Sequence, residues 1–206
     1  METHMKLYYA PGVCSLSPHI VLHEIGVPFT LIKTDIKAKT IEGGADFLAI
    51  NPNGYVPALQ LDDGTVLTEG PAIVQYLADT AGAHELCPPC GTIERAQLQS
   101  WLNFISTELH KGFSPLFNPS LGDDAKAIHR AKLIERIAYL DTHLAGRDYI
   151  MGTTFTLPDA YAFTVLGWSR PLKLDLASYL HVDAYRNRIQ KRPSVQAAMR
   201  AEGLIK

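Results

Sequence analysis

The sequence predicts an α/β domain followed by an all-α domain. Three observations predict it: short β-type runs interleaved with helical periodicity through about residue 80, a glycine-, proline- and cysteine-rich stretch at 81–91, and helical patterns in succession from residue 92 onward. A chain of 206 residues is long enough for two modest domains.

Residues 6–10 and 29–35 are short, rich in β-branched or aromatic residues and closed by turn formers, so both read as strands. Between them, residues 15–25 carry Leu16, Ile20, Val21 and Ile25 at helical spacing and stop at Gly26, a suitable C-cap. The result is a βαβ unit. A second helix is expected over residues 43–50. Residues 56–61 and 65–68 flank the turn signal Asp62-Asp63-Gly64 as an antiparallel hairpin, and Pro71 opens a helix through Ala78. The order βαβ, α, ββ, α is that of a thioredoxin-like domain, placed at residues 5–80 with 81–91 as linker.

The all-helical domain is expected over residues 92–206. Residues 92–117 form one long amphipathic helix with Leu98, Trp101, Leu102, Ile105 and Leu109 on its apolar stripe, and 124–144 form a second. Thr156-Leu157-Pro158-Asp159 has the pattern of an N-terminal capping arrangement for a helix through Gly167, a device that serves folding rather than chemistry. Further helices are expected at 180–190 and 194–201. Residues 1–4 read as a vector remnant or misassigned start, because Met5-Lys6-Leu7 opens the first strand naturally.

Composition narrows the function classes. Hydrophobic residues make up 47% and charged residues 19%, and the net charge is only -2, which argues against disorder and against a polyanion-binding surface; no nucleic-acid partner is expected. No apolar run reaches the roughly 20 residues a bilayer requires, and the amino terminus lacks signal-peptide character, so a soluble, cytoplasmic protein with no membrane partner is expected. Three cysteines do not suggest a disulfide framework.

Cys14 lies where the first strand hands over to the first helix. Unpaired N–H groups and the helix macrodipole favour a thiolate there, although a buried, small apolar cysteine fits the position as well. Asn53-Gly54-Tyr55-Val56-Pro57-Ala58-Leu59 puts a proline at the start of a strand, where a cis or a trans Val56–Pro57 bond is compatible with the spacing. In Glu69-Gly70-Pro71, the Gly70 N–H could hold a carboxylate while Glu69 accepts from an ammonium group, the two ends of an α-amino acid; a pure capping device would look much the same. Asn103, Thr107 and His110 recur at i, i+4 and i+7 with Lys111 beside them, either a solvated stripe or a His-Lys pair lending a hydrogen bond and positive charge to a thiolate. Cys87-Pro88-Pro89-Cys90 is a C-x-x-C placed in the linker rather than at the strand-to-helix position of a redox pair. His19 and His23 lie one helical turn apart with no third ligand evident, and no metal site is expected.

Taken together, these segments resemble the bacterial beta-class glutathione S-transferases over residues 5–206, and in particular variants associated with biphenyl degradation. The matching motifs are Leu7 through Ile20 around Cys14, Asn51 through Leu59, Thr68 through Leu77, Trp101 through Phe113, and the ending Ala201 through Lys206. The resemblance implies a cytosolic glutathione transferase fold, glutathione as cosubstrate, and a homodimer acting on small hydrophobic or halogenated electrophiles. It implies catalytic roles for Cys14 and His110, with Cys14 able to form a mixed disulfide with glutathione. It further implies that Val56 and Pro57 present backbone to the tripeptide, that Glu69 and Gly70 hold its γ-glutamyl end, and that Lys39 meets the glycyl carboxylate. Asn103, Thr107, His110 and Lys111 would complete the glutathione site, partly from the other subunit. Tyr9 matches a tyrosine that is catalytic in other classes but is not the main thiol activator in this one. Gly70 stands where many superfamily members have serine and Tyr55 where many have glutamine. Two rival functions remain: a glutathione-dependent thiol-disulfide reductase or peroxidase, and a non-catalytic ligand-binding or partner-docking module.

Overall fold

The computed structural model of the protein describes residues 5–206, and the reading of residues 1–4 lies outside the described residues. The chain divides into two compact units: one runs to His84 and is completed by Pro193–Lys206, and the other is Glu85–Arg192. The expected division, with everything from 92 to 206 in the helical domain, differs at the end of the chain. There the last helix packs on the first helix of the α/β unit, burying Val195 and Ala198.

The first unit contains β1 (Met5–Tyr9), α1 (Leu16–Ile25), β2 (Phe29–Asp35), β3 (Thr40–Ile41), β4 (Ala58–Gln60), β5 (Val66–Thr68), α2 (Gly70–Thr80) and the final helix, α8 (Pro193–Ala201). Its sheet has the order β3-β2-β1-β4-β5, with β1 parallel to β2 and the remaining pairs antiparallel. The parallel pair follows from the α1 crossover, and α1 ends where Gly26 adopts φ 69, as its sequence position predicts. Tyr8, Ala10, Phe47, Val56 and Ala58 form one buried cluster, and the alternating residues Leu7 and Leu59 are fully buried toward the opposite face.

The helix expected over residues 43–50 is not formed. Gly43 and Gly44 sit at φ 91 and 87, outside the helical range, and Thr40 bridges Asp46 as an extended pair. Only the 3₁₀ turn Phe47–Ala49 remains, capped by the Asp46 side chain accepting from the Leu48 N–H.

The second unit contains α3 (Ile93–Phe104), α4 (Lys111–Phe113), α5 (Asp123–Leu144), α6 (Leu157–Leu166) and α7 (Leu180–Gln190). All ten residues of α6 are buried. The capping box predicted at its start is present: Asp159 accepts from the Thr156 N–H at 2.8 Å and from the Thr156 hydroxyl at 3.0 Å. The other Asp159 oxygen accepts from the Ile150 N–H at 2.8 Å and from the Tyr185 hydroxyl at 2.9 Å. Burial nonetheless raises the Asp159 pKa to about 6, against the lowering effect of these donors.

The single long helix expected over 92–117 is interrupted. It continues from α3 as a π-helix over Ile105–His110, where the Lys111 N–H reaches back five residues to the Ser106 carbonyl, then as α4 and a 3₁₀ turn, Ser114–Phe117. Two local features accompany the change. The Thr107 hydroxyl donates to the Asn103 carbonyl at 3.0 Å, and a Cβ on Gly112 would come within 3.1 Å of Leu133 on α5, so only glycine allows that approach without displacement.

Candidate functional site

In the first unit the site is built on the turn between β1 and α1. Ser15 secures it from inside: its fully buried hydroxyl donates to the Ala10 carbonyl and accepts from the Ala10 N–H, both at 3.2 Å. Cys14 is half-buried immediately before this residue, and its thiol donates to the Val56 carbonyl at 3.1 Å. A donating thiol is a neutral thiol, so forming the thiolate that the helix start favours requires that bond to be given up.

Val56 precedes β4, and the Val56–Pro57 bond is cis. The loop leading to it is held by Asn51, whose amide donates to the Tyr55 carbonyl at 2.8 Å and accepts from the Asn53 N–H at 3.1 Å. Lys39, itself at φ 59, donates its ammonium to the Gly54 carbonyl at 2.7 Å and lies 5.2 Å from the centre of the Tyr55 ring. A Cβ on Gly70 would lie 3.8 Å from Pro57, so α2 starts against the proline and a serine would find room there. Cys14, Val56, Pro57 and Gly70 are therefore neighbours, with Lys39 anchored to the same loop.

Glu69 lies at the same helix start as Gly70. It stands at the N-cap of α2 but makes no side-chain capping bond, and its backbone adopts φ 67 with the side chain exposed. The Glu69 carbonyl accepts from the Ala72 and Ile73 N–H groups at the helix start, while its carboxylate takes no part in capping.

In the second unit, the π segment separates the expected polar stripe. Asn103 and Thr107 remain exposed, whereas the His110 ring lies edge-on to Trp168 at 4.7 Å between centroids, with Nδ1 2.6 Å from the Tyr161 hydroxyl. Burial, aided by the neighbouring Lys111 charge, lowers the His110 pKa to about 4. Near neutral pH His110 is therefore uncharged, and Lys111 beside it is exposed. Trp168 also meets Phe113 and Phe117 edge-on; Phe113 is core, whereas Phe117 is exposed.

The remaining sequence candidates do not enter this geometry. No disulfide joins Cys87, which is buried, to Cys90, which is exposed. His19 Nδ1 is engaged 2.9 Å from Glu202, and among the described residues no group of three His, Cys, Asp or Glu side chains is arranged to hold a metal. Glu202, Tyr161 and Asn51 were not singled out by sequence. Glu202 did carry a signal: it follows Val195 and Ala198 at helical spacing, so a charge falls on an apolar stripe.

Comparison with known proteins matches the chain over both units. The model for the glutathione S-transferase N-terminal domain matches residues 13–80, and that for the C-terminal domain matches residues 104–193. The chain belongs to the glutathione S-transferase family. The transferase is 49% identical to glutathione S-transferase GstA of Escherichia coli O157:H7 over 97% of this chain and 100% of GstA. Its structure resembles BphK, a bacterial glutathione S-transferase solved as a ternary complex, with a TM-score of 0.94 at 50% identity over 96% of this chain and 99% of BphK. A sphingomonad glutathione S-transferase complexed with glutathione gives 0.93 at 46% identity over 97% and 100%. The beta-class enzyme of Sphingomonas chungbukensis gives 0.93 at 44% identity over the same shares. The bacterial beta-class resemblance and the two-domain transferase fold expected from sequence both stand. Among the described residues no helix is long and apolar enough to cross a membrane.

Proposed function

We propose that this transferase binds glutathione in its α/β unit and conjugates it to small hydrophobic or halogenated electrophiles, with a thiol-transfer side activity that depends on Cys14. The observation that carries the proposal is the 3.1 Å bond from the Cys14 thiol to the Val56 carbonyl, which sets a sulfur beside the loop that an extended tripeptide would pair with. The glutathione complex of the sphingomonad relative supports the choice of tripeptide.

In this scheme the Val56–Pro57 segment presents backbone to glutathione. The exposed Glu69 carboxylate accepts from its γ-glutamyl ammonium, the Gly70 N–H at the start of α2 meets the adjacent carboxylate, and Lys39 exchanges the Gly54 carbonyl for the glycyl carboxylate. Asn103, Thr107, His110 and Lys111 complete the glutathione site, partly from the other subunit of the homodimer, His110 as a neutral hydrogen-bonding group. Phe117 and Trp168 offer aromatic edges that suit a hydrophobic electrophile. In conjugation the glutathione thiolate forms a C–S bond as a halide or other leaving group departs. In thiol transfer the Cys14 thiolate attacks a disulfide, one S–S bond forming as another breaks and releases a thiolate. The enzyme works as a cytoplasmic homodimer.

A thiol-disulfide reductase or peroxidase is the second reading, favoured by the same placement of Cys14; turnover of a mixed disulfide compared with that of an aryl halide separates the two. The primary test is intact mass after incubation with glutathione disulfide. One glutathione on wild type and none on Cys14→Ala is expected, and no adduct on folded wild type would remove Cys14 chemistry from the mechanism.

A further inference from the structure

The turn that carries Cys14 is gripped by a residue near the other end of the chain. Glu202 Oε2 accepts from the Gly12 N–H at 2.8 Å, and Oε1 lies 2.9 Å from His19 Nδ1. Both side chains are 0% exposed. Gly12 lies two residues before Cys14 and His19 in the first turns of α1 beyond it, so one carboxylate ties the two ends of the turn together.

The last residues of the chain explain how Glu202 is delivered there. Gly203 sits at φ 72, its N–H donates to the Arg200 carbonyl at 2.9 Å, and the Leu204 N–H donates to the Met199 carbonyl at 2.9 Å. This pair of bonds is a Schellman motif, which makes Glu202 the C-cap of α8 and reverses the chain after it. The reversal brings Leu204 against the same turn: a Cβ on Gly12 would lie 3.3 Å from the Leu204 side chain. Gly12 is itself at φ 72, so the turn requires this residue both for its conformation and for the room Leu204 takes.

We propose that Glu202 is a positioning residue of the thiol site, holding the Cys14 turn in register with the Val56 loop through the Gly12 N–H. A buried carboxylate costs desolvation energy that an apolar side chain would avoid, yet here it satisfies a backbone N–H of the turn and a ring nitrogen of the following helix at once. Its consequence for catalysis rests on the proposed role of Cys14 beside glutathione; the hold on the turn does not.

The test is hydrogen exchange of residues 10–16 in the intact protein, run beside the rate at which Cys14 forms a mixed disulfide with glutathione disulfide. Glu202→Gln keeps a side-chain oxygen that accepts from the Gly12 N–H, the bond on which the hold rests, so both quantities should stay within about threefold of wild type. Glu202→Ala should speed exchange of residues 10–16 about tenfold and slow the Cys14 reaction by a similar factor. Exchange in β4, β5 and the second unit should stay unchanged, as should alkylation of exposed Cys90. Should the alanine variant fail to fold, Glu202→Asp keeps the charge but is one methylene too short to span both partners, and the same segment should loosen severalfold. Exchange of residues 10–16 equal to wild type in the folded variants, or rising in step with the rest of the unit, would overturn the proposal. A wild type that forms no mixed disulfide would defeat the thiol-transfer reading, while the exchange data would still decide the role of Glu202.

Discussion

Glu69 and His110 show how much one side chain's surroundings decide. The Glu69 side chain contributes no cap to α2, so Glu69→Gln should leave the melting temperature nearly unchanged while raising the KM for glutathione about tenfold, as expected for losing a hydrogen bond to a charged group. Steady-state kinetics beside a thermal melt checks both halves. His110 has a pKa depressed from 6.5 to about 4, with burial the larger cause and the Lys111 charge the smaller. Between those values the unfolded chain binds more protons at this site than the native one. The stability His110 contributes is therefore fully present above pH 6.5 and is lost as pH falls toward 4, by roughly 3 kcal/mol. Urea denaturation at pH 7 and pH 4.5 should show that component in wild type, and its absence in His110→Gln would confirm the source. The residue types at both positions were legible in the sequence. Their states were not, because capping and desolvation depend on atoms contributed from elsewhere.

Elements read well where their determinants are local. Gly26 ends α1, the Asp62-Asp63-Gly64 turn pairs Ala58 with Thr68, and Thr156 with Asp159 starts α6. Asp159 does more than cap, since it also receives Ile150 and Tyr185. Asp159→Ala would strand the Ile150 N–H, the Thr156 N–H and the Tyr185 hydroxyl in the interior and should cost about 3 kcal/mol or more, read by chemical denaturation. Elements read poorly where a local pattern met a competing constraint. A helix is expected over residues 43–50, but two positive-φ glycines and the Thr40–Asp46 bridge stand in its place. The π segment leaves no mark in the sequence pattern because it shifts the helical period by a single residue while keeping the same apolar stripe, with Ile105 and Leu109 still buried.

At the scale of the whole molecule, the α/β unit depends on a helix that lies more than a hundred residues beyond it in sequence. Ending the chain after Arg192 would remove α8, and with it the apolar cover of α1 and the partner of His19 and Gly12. Such a truncation should abolish glutathione binding, measured by calorimetry, while leaving the far-ultraviolet helical signal of Glu85–Arg192 largely in place. By itself the sequence determined the βαβ and hairpin order, the end of α1 at Gly26, the start of α6 at Thr156, and the motifs of the transferase family, because these follow from neighbours within a few turns. Only the tertiary structure decided that α8 completes the first unit, that the Glu69 side chain makes no capping bond to α2, that His110 is neutral and that Glu202 grips the Cys14 turn. Each of these depends on which distant side chains remove a group from water, and that is settled when the elements pack rather than when they form.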